Sequence, residues 1–282
     1  MNEQLFFGMM ILSYLFSSLC YIAYAFLRHK ERAAAVIFMW ASGFGGIGWA
    51  SHVLFLFARG SMADHVPWAN QFEAMGFLAF CVVTVYFLLQ WFYKLKIFGS
   101  LVMPVATLIL IGSALLPQEY KGAGPVMPAL NSYWIKIHVT IMLISYAIFA
   151  FSFCVSIAYL LRERHERLGL SGGAMANFPT AEALDELTYR TIAIGFPLIT
   201  VGIMCGAAWG HVAWGRYWGW DPKETWAFIT WCIYVIFLHG KMILGWEGKR
   251  IAWMSIGGFL CVLFTFFGVN FLLSGLHSYA KP

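Results

Sequence analysis

The side chains best suited to chemistry in this sequence are eight histidines and one crowded tryptophan segment. The histidines are His29, His52, His65, His138, His165, His211, His239 and His277. A neutral imidazole is a common metal ligand and titrates near physiological pH. The segment WGRYWGWDPKETW, residues 214–226, holds Trp214, Tyr217, Trp218, Trp220 and Trp226 among Arg216, Asp221, Lys223 and Glu224. Trp209, Gly210, Gly215 and Gly219 extend the same pattern. Glycines between aromatic rings let flat groups approach the backbone closely. Such a surface suits a large, flat, apolar ligand with charged edges. Haem is of that class, its propionates needing cations such as Arg216 or Lys223. The competing reading is an interfacial belt, because Trp and Tyr are enriched where membranes meet water. The segment taken alone leaves both open. The six cysteines, by contrast, all lie in apolar runs with no C-x-x-C spacing, which argues against a disulfide framework, a zinc site or a thiol-redox centre.

The elements that must position these groups follow from composition. Hydrophobic residues make up 61% of the 282 and charged residues 11%, against about 25% charged in a soluble domain. Mean hydropathy is +0.73, so lipid is the expected solvent. Eight runs approach the roughly 20 apolar residues that a span needs: about 5–27, 34–57, 72–93, 97–116, 134–161, 191–212, 225–244 and 251–273. Pro197 falls inside the sixth, which membrane helices tolerate. The first run follows Asn2 and Glu3 without a basic start, and reads as a retained span rather than a cleaved leader. With the N-terminus outside, twelve of the eighteen Lys and Arg fall on the cytoplasmic side, so the positive-inside rule favours N-out and C-out. Loop charge of this kind accounts for the net +5, and no nucleic-acid partner is needed. The expected fold is an all-α integral membrane domain over residues 1–282, a bundle of about eight transmembrane helices. Its tryptophan-rich loop, about 209–226, lies outside the cytoplasm. Asp221-Pro222-Lys223-Glu224 has the form of a capping box with proline at the first helical position, and starts the seventh span. In the longest cytoplasmic connection, 162–190, Thr180 is placed to cap a short surface helix leading into the sixth span.

The run from Trp214 to Thr225, followed by Trp226-Ala-Phe-Ile-Thr-Trp231, resembles the WWD signature of haem-handling proteins in cytochrome c biogenesis. Its WGxYWxWDPKET form is most similar to the CcsA (ResC) family of system II. The likeness extends from about Asn131 to His277, and Asn70-Gln-Phe-Glu73 resembles a short family element before the third span. The first four spans fit by number and topology more than by motif. CcmC proteins usually have fewer spans, and CcmF proteins are much longer.

This resemblance implies roles for particular residues. His138 and His277 would flank the WWD segment and hold a non-covalent haem b from opposite faces. Trp214, Tyr217, Trp218, Trp220, Asp221 and Arg216 would complete that site. His239 matches the family's transmembrane histidine and implies a second haem within the bilayer. His52 is a poor partner for it: a mismatch of more than about ten helical residues separates their depths by roughly 15–20 Å at about 1.5 Å per residue. The missing ligand would come from a CcsB (ResB) subunit. His211 reads as accessory, and His29, His65 and His165 receive no role. The implied function is to move haem across the membrane and present it at the loop to the CxxCH thiols of apocytochrome c. No side chain stands out as a general base. Three other readings remain at this point: a CcmC-like haem exporter without ligation activity, a dihaem cytochrome b, and a haem-free transporter. The setting implied is the bacterial cytoplasmic membrane in preference to the thylakoid.

Overall fold

A computed structural model describes residues 2–123, 130–273 and 275. Each long apolar run of the sequence becomes a helix, because lipid leaves the backbone no partner but itself. The helices are α1 (Glu3–Leu27), α2 (Glu31–Ala63), α3 (Gln71–Tyr93), α4 (Gly99–Leu115), α5 (Tyr133–Arg167), α6 (Ala181–Trp214), α7 (Pro222–Met242), α8 (Lys249–Leu263) and the short α9 (Val269–Leu272). A π-helical segment, Phe264–Gly268, joins α8 to α9 into one last span. Seven of the described helical segments are long and apolar enough to cross a membrane. The remaining long helix, α7, has 21 residues, with Lys223 and Glu224 at one end and His239 and Lys241 at the other.

Helix starts follow local side-chain chemistry. Asn70 accepts the Glu73 N–H at 2.9 Å, while Glu73 accepts the Ala69 N–H at 2.9 Å. Ser132 and Thr180 cap α5 and α6. The segment after Thr180 is not a separate surface helix, as the sequence led us to expect. It runs unbroken into the sixth span as α6, because Leu184, Thr188 and Thr191 continue the buried stripe and offer no reason to break. His165, expected in a loop, lies buried in the last turn of α5, where its Nε2 meets the Gly172 carbonyl at 2.8 Å.

The bundle is centred on α5, which packs on α6, α8 and α3; α1 packs on α2 and α4, and α7 on α8 and α6. Hydroxyl pairs join helices inside it, including Ser152 with Ser255 at 2.9 Å and Ser18 with Thr107 at 3.1 Å, as interhelical polar contacts do in lipid. Charged groups close the two ends. At the end bearing the tryptophan loop, Arg59 (3% exposed) pairs with Glu73 (0%) at 2.8 Å and with Glu3 at 3.1 Å. At the opposite end Lys241 meets Asp185 at 2.6 Å, and the Gly248 N–H donates to the same carboxylate at 2.9 Å. This second clamp ties α6, α7 and the start of α8 together.

Candidate functional site

The 215–221 loop is held by its own ends. Asp221 caps α7, its Oδ2 accepting the Lys223 N–H at 3.2 Å, and Glu224 Oε2 accepts the N–H groups of Asp221 at 3.1 Å and Gly219 at 2.8 Å. The capping box expected from DPKE is therefore present. Gly215, at φ +73°, ends α6 in the left-handed region that glycine adopts without penalty. Trp220 also has positive φ, at +58°, which an aromatic residue adopts only under constraint. The reciprocal bonds of Asp221 and Glu224 on either side of that position supply it.

Beneath the loop lies a cavity of about 280 Å³, walled by α5, α6, the start of α7, the last span and the α2–α3 connection. His138 of α5 and Trp209, Tyr217 and Trp218 all line it. The imidazole of His138 sits nearly parallel to the Trp209 indole, with ring centres 6.5 Å apart and planes 15° apart. Its Nδ1 lies 2.7 Å from the Gly202 carbonyl of α6. A carbonyl can only accept, so Nδ1 carries the proton and Nε2 is the basic nitrogen. Metal-ligating histidines are commonly held this way, the second ring nitrogen fixing tautomer and orientation. Gly206 makes room for the ring: a Cβ there would lie 2.7 Å from His138 Cε1 and Nδ1. An imidazole of fixed tautomer beside aromatic planes, in an open cavity at one end of the bundle, suits the metal and the flat faces of a haem.

The other expected site residues are distributed unevenly. Trp214 packs edge-on against Trp209 at 4.7 Å, behind the cavity wall. Trp220 is 66% exposed and meets Trp218 at 5.7 Å and Phe228 at 6.2 Å. Arg216 is exposed and folds back over Gly219. Asp221 is the buried helix cap described above. His211 is exposed and stacks on Tyr217 at 4.4 Å with planes 5° apart. His277 lies outside the described residues. Gly275 is described: a Cβ there would come within 2.5 Å of Asp221 Oδ1.

His239 and His52 stand far apart in kind. His239 is on the exposed face of α7, near its Lys241 end. His52 is 0% exposed, with Tyr14 Oη 3.3 Å from its Nδ1 and Phe80 against its ring.

Several cavity residues escaped the sequence reading. His65 lines the cavity with its Nδ1 3.8 Å from Glu73. Lys223, read as one of two candidate cations, is the one on the wall. Burial pushes its ammonium down to about 8, with the Asp221 carboxylate opposing the shift. Gln71 and Asn270 join it there. The glycines behind His138 carried a legible signal: Gly202, Gly206 and Gly210 repeat every fourth residue along α6, the small-residue spacing of close helix packing in membranes.

Comparison with known proteins agrees with this architecture. Residues 68–277 match the family described as "Cytochrome C assembly protein". Proteins named cytochrome c biogenesis protein CcsA are similar to this chain. That of Chlamydomonas reinhardtii is 41% identical over 232 residues, 80% of this chain and 64% of that protein. That of Mesostigma viride is 38% identical, covering 80% of this chain and 81% of its own. The Gloeobacter violaceus protein is 36% identical, covering 79% and 81%. The chain thus spans somewhat under two thirds of the Chlamydomonas reinhardtii relative and about four fifths of the other two. A solved structure titled "Cytochrome c Heme Lyase CcmF" superposes with a TM-score of 0.68 at 15% identity, over 98% of this chain and 48% of that one. At that identity the likeness shows a shared fold, an integral membrane helix bundle. A family match over residues 68–277, with relatives 36–41% identical across about four fifths of its length, places the chain in the cytochrome c assembly protein family, in its CcsA branch.

Proposed function

We propose that this chain is the haem-handling subunit of a system II cytochrome c synthase, which receives haem from the cytoplasmic side and presents it at the tryptophan loop to apocytochrome c. The observation that carries this reading is the His138 imidazole, its tautomer fixed by Gly202 and its ring set beside Trp209 in the cavity. Haem is the substrate. The thiols of a CxxCH motif add across its vinyl groups: each new carbon–sulfur bond is matched by a proton delivered to the other vinyl carbon, and no net oxidation occurs. The chain contributes position. His138 and His277 bind iron from opposite faces, and Tyr217 and Trp218 orient the ring. Holding the reacting partners in register is worth several kcal/mol, of order 7 or more in favourable cases. Until the thioethers form, the haem is held non-covalently with its vinyl groups intact and is therefore haem b. A CcsB (ResB) subunit completes the complex in the bacterial cytoplasmic membrane.

His138→Gly and His277→Gly, tested separately, should each lose cytochrome c maturation. Added imidazole should restore part of it by filling the vacated axial position. Normal maturation by both variants would overturn the assignment.

A further inference from the structure

Lys223 brings a positive charge to the cavity wall, where the Asp221 charge favours the ammonium but no carboxylate among the described residues meets it in direct contact. Its Nζ donates to the neutral amide oxygen of Asn270 at 3.0 Å, and among the described residues it forms no ion pair. The two nearest carboxylates along the chain accept backbone N–H groups and make no direct contact with its Nζ. Asp221 Oδ2 accepts the backbone N–H of Lys223 itself, and Glu224 Oε2 accepts from Gly219 and Asp221. Asn270, 6% exposed, passes an Nδ2–H to Gln71 Oε1 at 2.7 Å. The relay then ends on an orphan: Gln71 is 3% exposed and its Nε2 has no acceptor among the described residues. Three helices meet in this relay, α3 through Gln71, α7 through Lys223 and α9 through Asn270, and all three residues line the cavity.

A partly buried ammonium without a direct ion pair and a buried amide without an acceptor among the described residues are each costly to hold. One chemistry relieves both, a carboxylate, whose two oxygens can serve two donors. We infer that Lys223 and Gln71, oriented by Asn270, form a carboxylate subsite of the cavity that takes a propionate edge of haem. This rests on the reading of the cavity as a haem site. Lys223 and Gln71 are the contacting residues, and Asn270 is a positioning residue that holds both. Arg216, exposed and folded over Gly219, stands outside the subsite. The cavity thereby offers an imidazole to the metal and a cationic corner to the acid edge, which would fix the rotation of the ring about the iron axis.

Haem and haem dimethyl ester, in which both propionates are esterified, separate this subsite from the rest of the cavity. Each is titrated into the purified full chain in detergent and followed by its Soret band. The wild-type protein should hold haem roughly tenfold or more tightly than the ester, the effect of a charge-assisted hydrogen bond. Lys223→Met should erase that preference by weakening haem alone, while Lys223→Arg should keep most of it. Gln71→Glu should also weaken haem selectively, because it places a competing carboxylate inside the relay. Equal affinities for haem and ester in the wild type would overturn the subsite. So would a Lys223→Met variant that loses both ligands equally, since that is the mark of a structural role. Failure of the underlying haem reading shows separately: His138→Gly would then leave the Soret band unchanged with either ligand.

Discussion

Trp218 and Trp220 stand two residues apart and meet different surroundings. The Trp218 indole lines the cavity, whereas that of Trp220 is 66% exposed and carried on a backbone at φ +58°. That backbone region costs a non-glycine residue of order 1 kcal/mol. The two positions should therefore respond differently. Trp218→Ala should lower the haem bound per molecule while leaving membrane level nearly unchanged. Trp220→Gly removes a ring but also the strain, so thermal stability should hold or rise by about 1 kcal/mol, with a smaller effect on bound haem. Both are read from the haem-to-protein ratio and a melting curve of the purified variants. If Trp218→Ala instead reduces insertion while haem per folded molecule stays constant, the aromatics are an interfacial belt.

The element that sets the site is α6, through its glycines. Gly202 offers its carbonyl to His138, and a Cβ on it would come within 2.5 Å of the Met142 sulfur. Gly206 leaves the space that the His138 ring fills. A methyl at 206 must push the imidazole off its bond to Gly202, since the helix behind it cannot yield. Gly206→Ala should therefore mature cytochrome c about as poorly as His138→Gly, at an overpacking cost of roughly 1–3 kcal/mol. Gly46→Ala on α2, where nothing lies within 4 Å of the added methyl, should behave as wild type. Equal activity of the two variants would detach α6 from the function of His138.

What could be read in advance divides along the same line. The Asp221 capping box and the Thr180 cap were legible because donor and acceptor lie within a few residues of each other. Helix number was legible because lipid forces apolar runs into helices. The every-fourth-residue glycines of α6 were visible as spacing, but periodicity does not tell which helix lies opposite, so their service to His138 was not. The Gln71–Asn270 bond joins residues 199 apart, and nothing local in either segment marks the other. Arg216 and Lys223 were indistinguishable as nearby cations until the loop fold turned one outward and left the other on the wall.

For the molecule as a whole, the placement of His239 decides whether one chain suffices. His239 is exposed on α7, a helix that packs on α6 and α8. His52 is enclosed by Tyr14, Phe55 and Phe80 within the α1–α3 region. An iron bound at His239 would sit outside the bundle, where a buried imidazole on α2 cannot reach it. A charged or polar group left facing the bilayer is costly, so an exposed histidine in a span makes sense where another protein covers it. The chain expressed alone should accordingly hold little haem beyond the tryptophan-loop site. Co-expression with a CcsB-type subunit should raise the haem-to-protein ratio of the purified complex, by about one haem per complex if each protein supplies one axial imidazole. His239→Ala should abolish the increase, whereas His52→Ala should leave it intact and disturb only the local packing with Tyr14, Phe55 and Phe80. A single chain that already carries two haems, one of them lost in His52→Ala, would place both ligands in this protein and remove the need for the partner at that site.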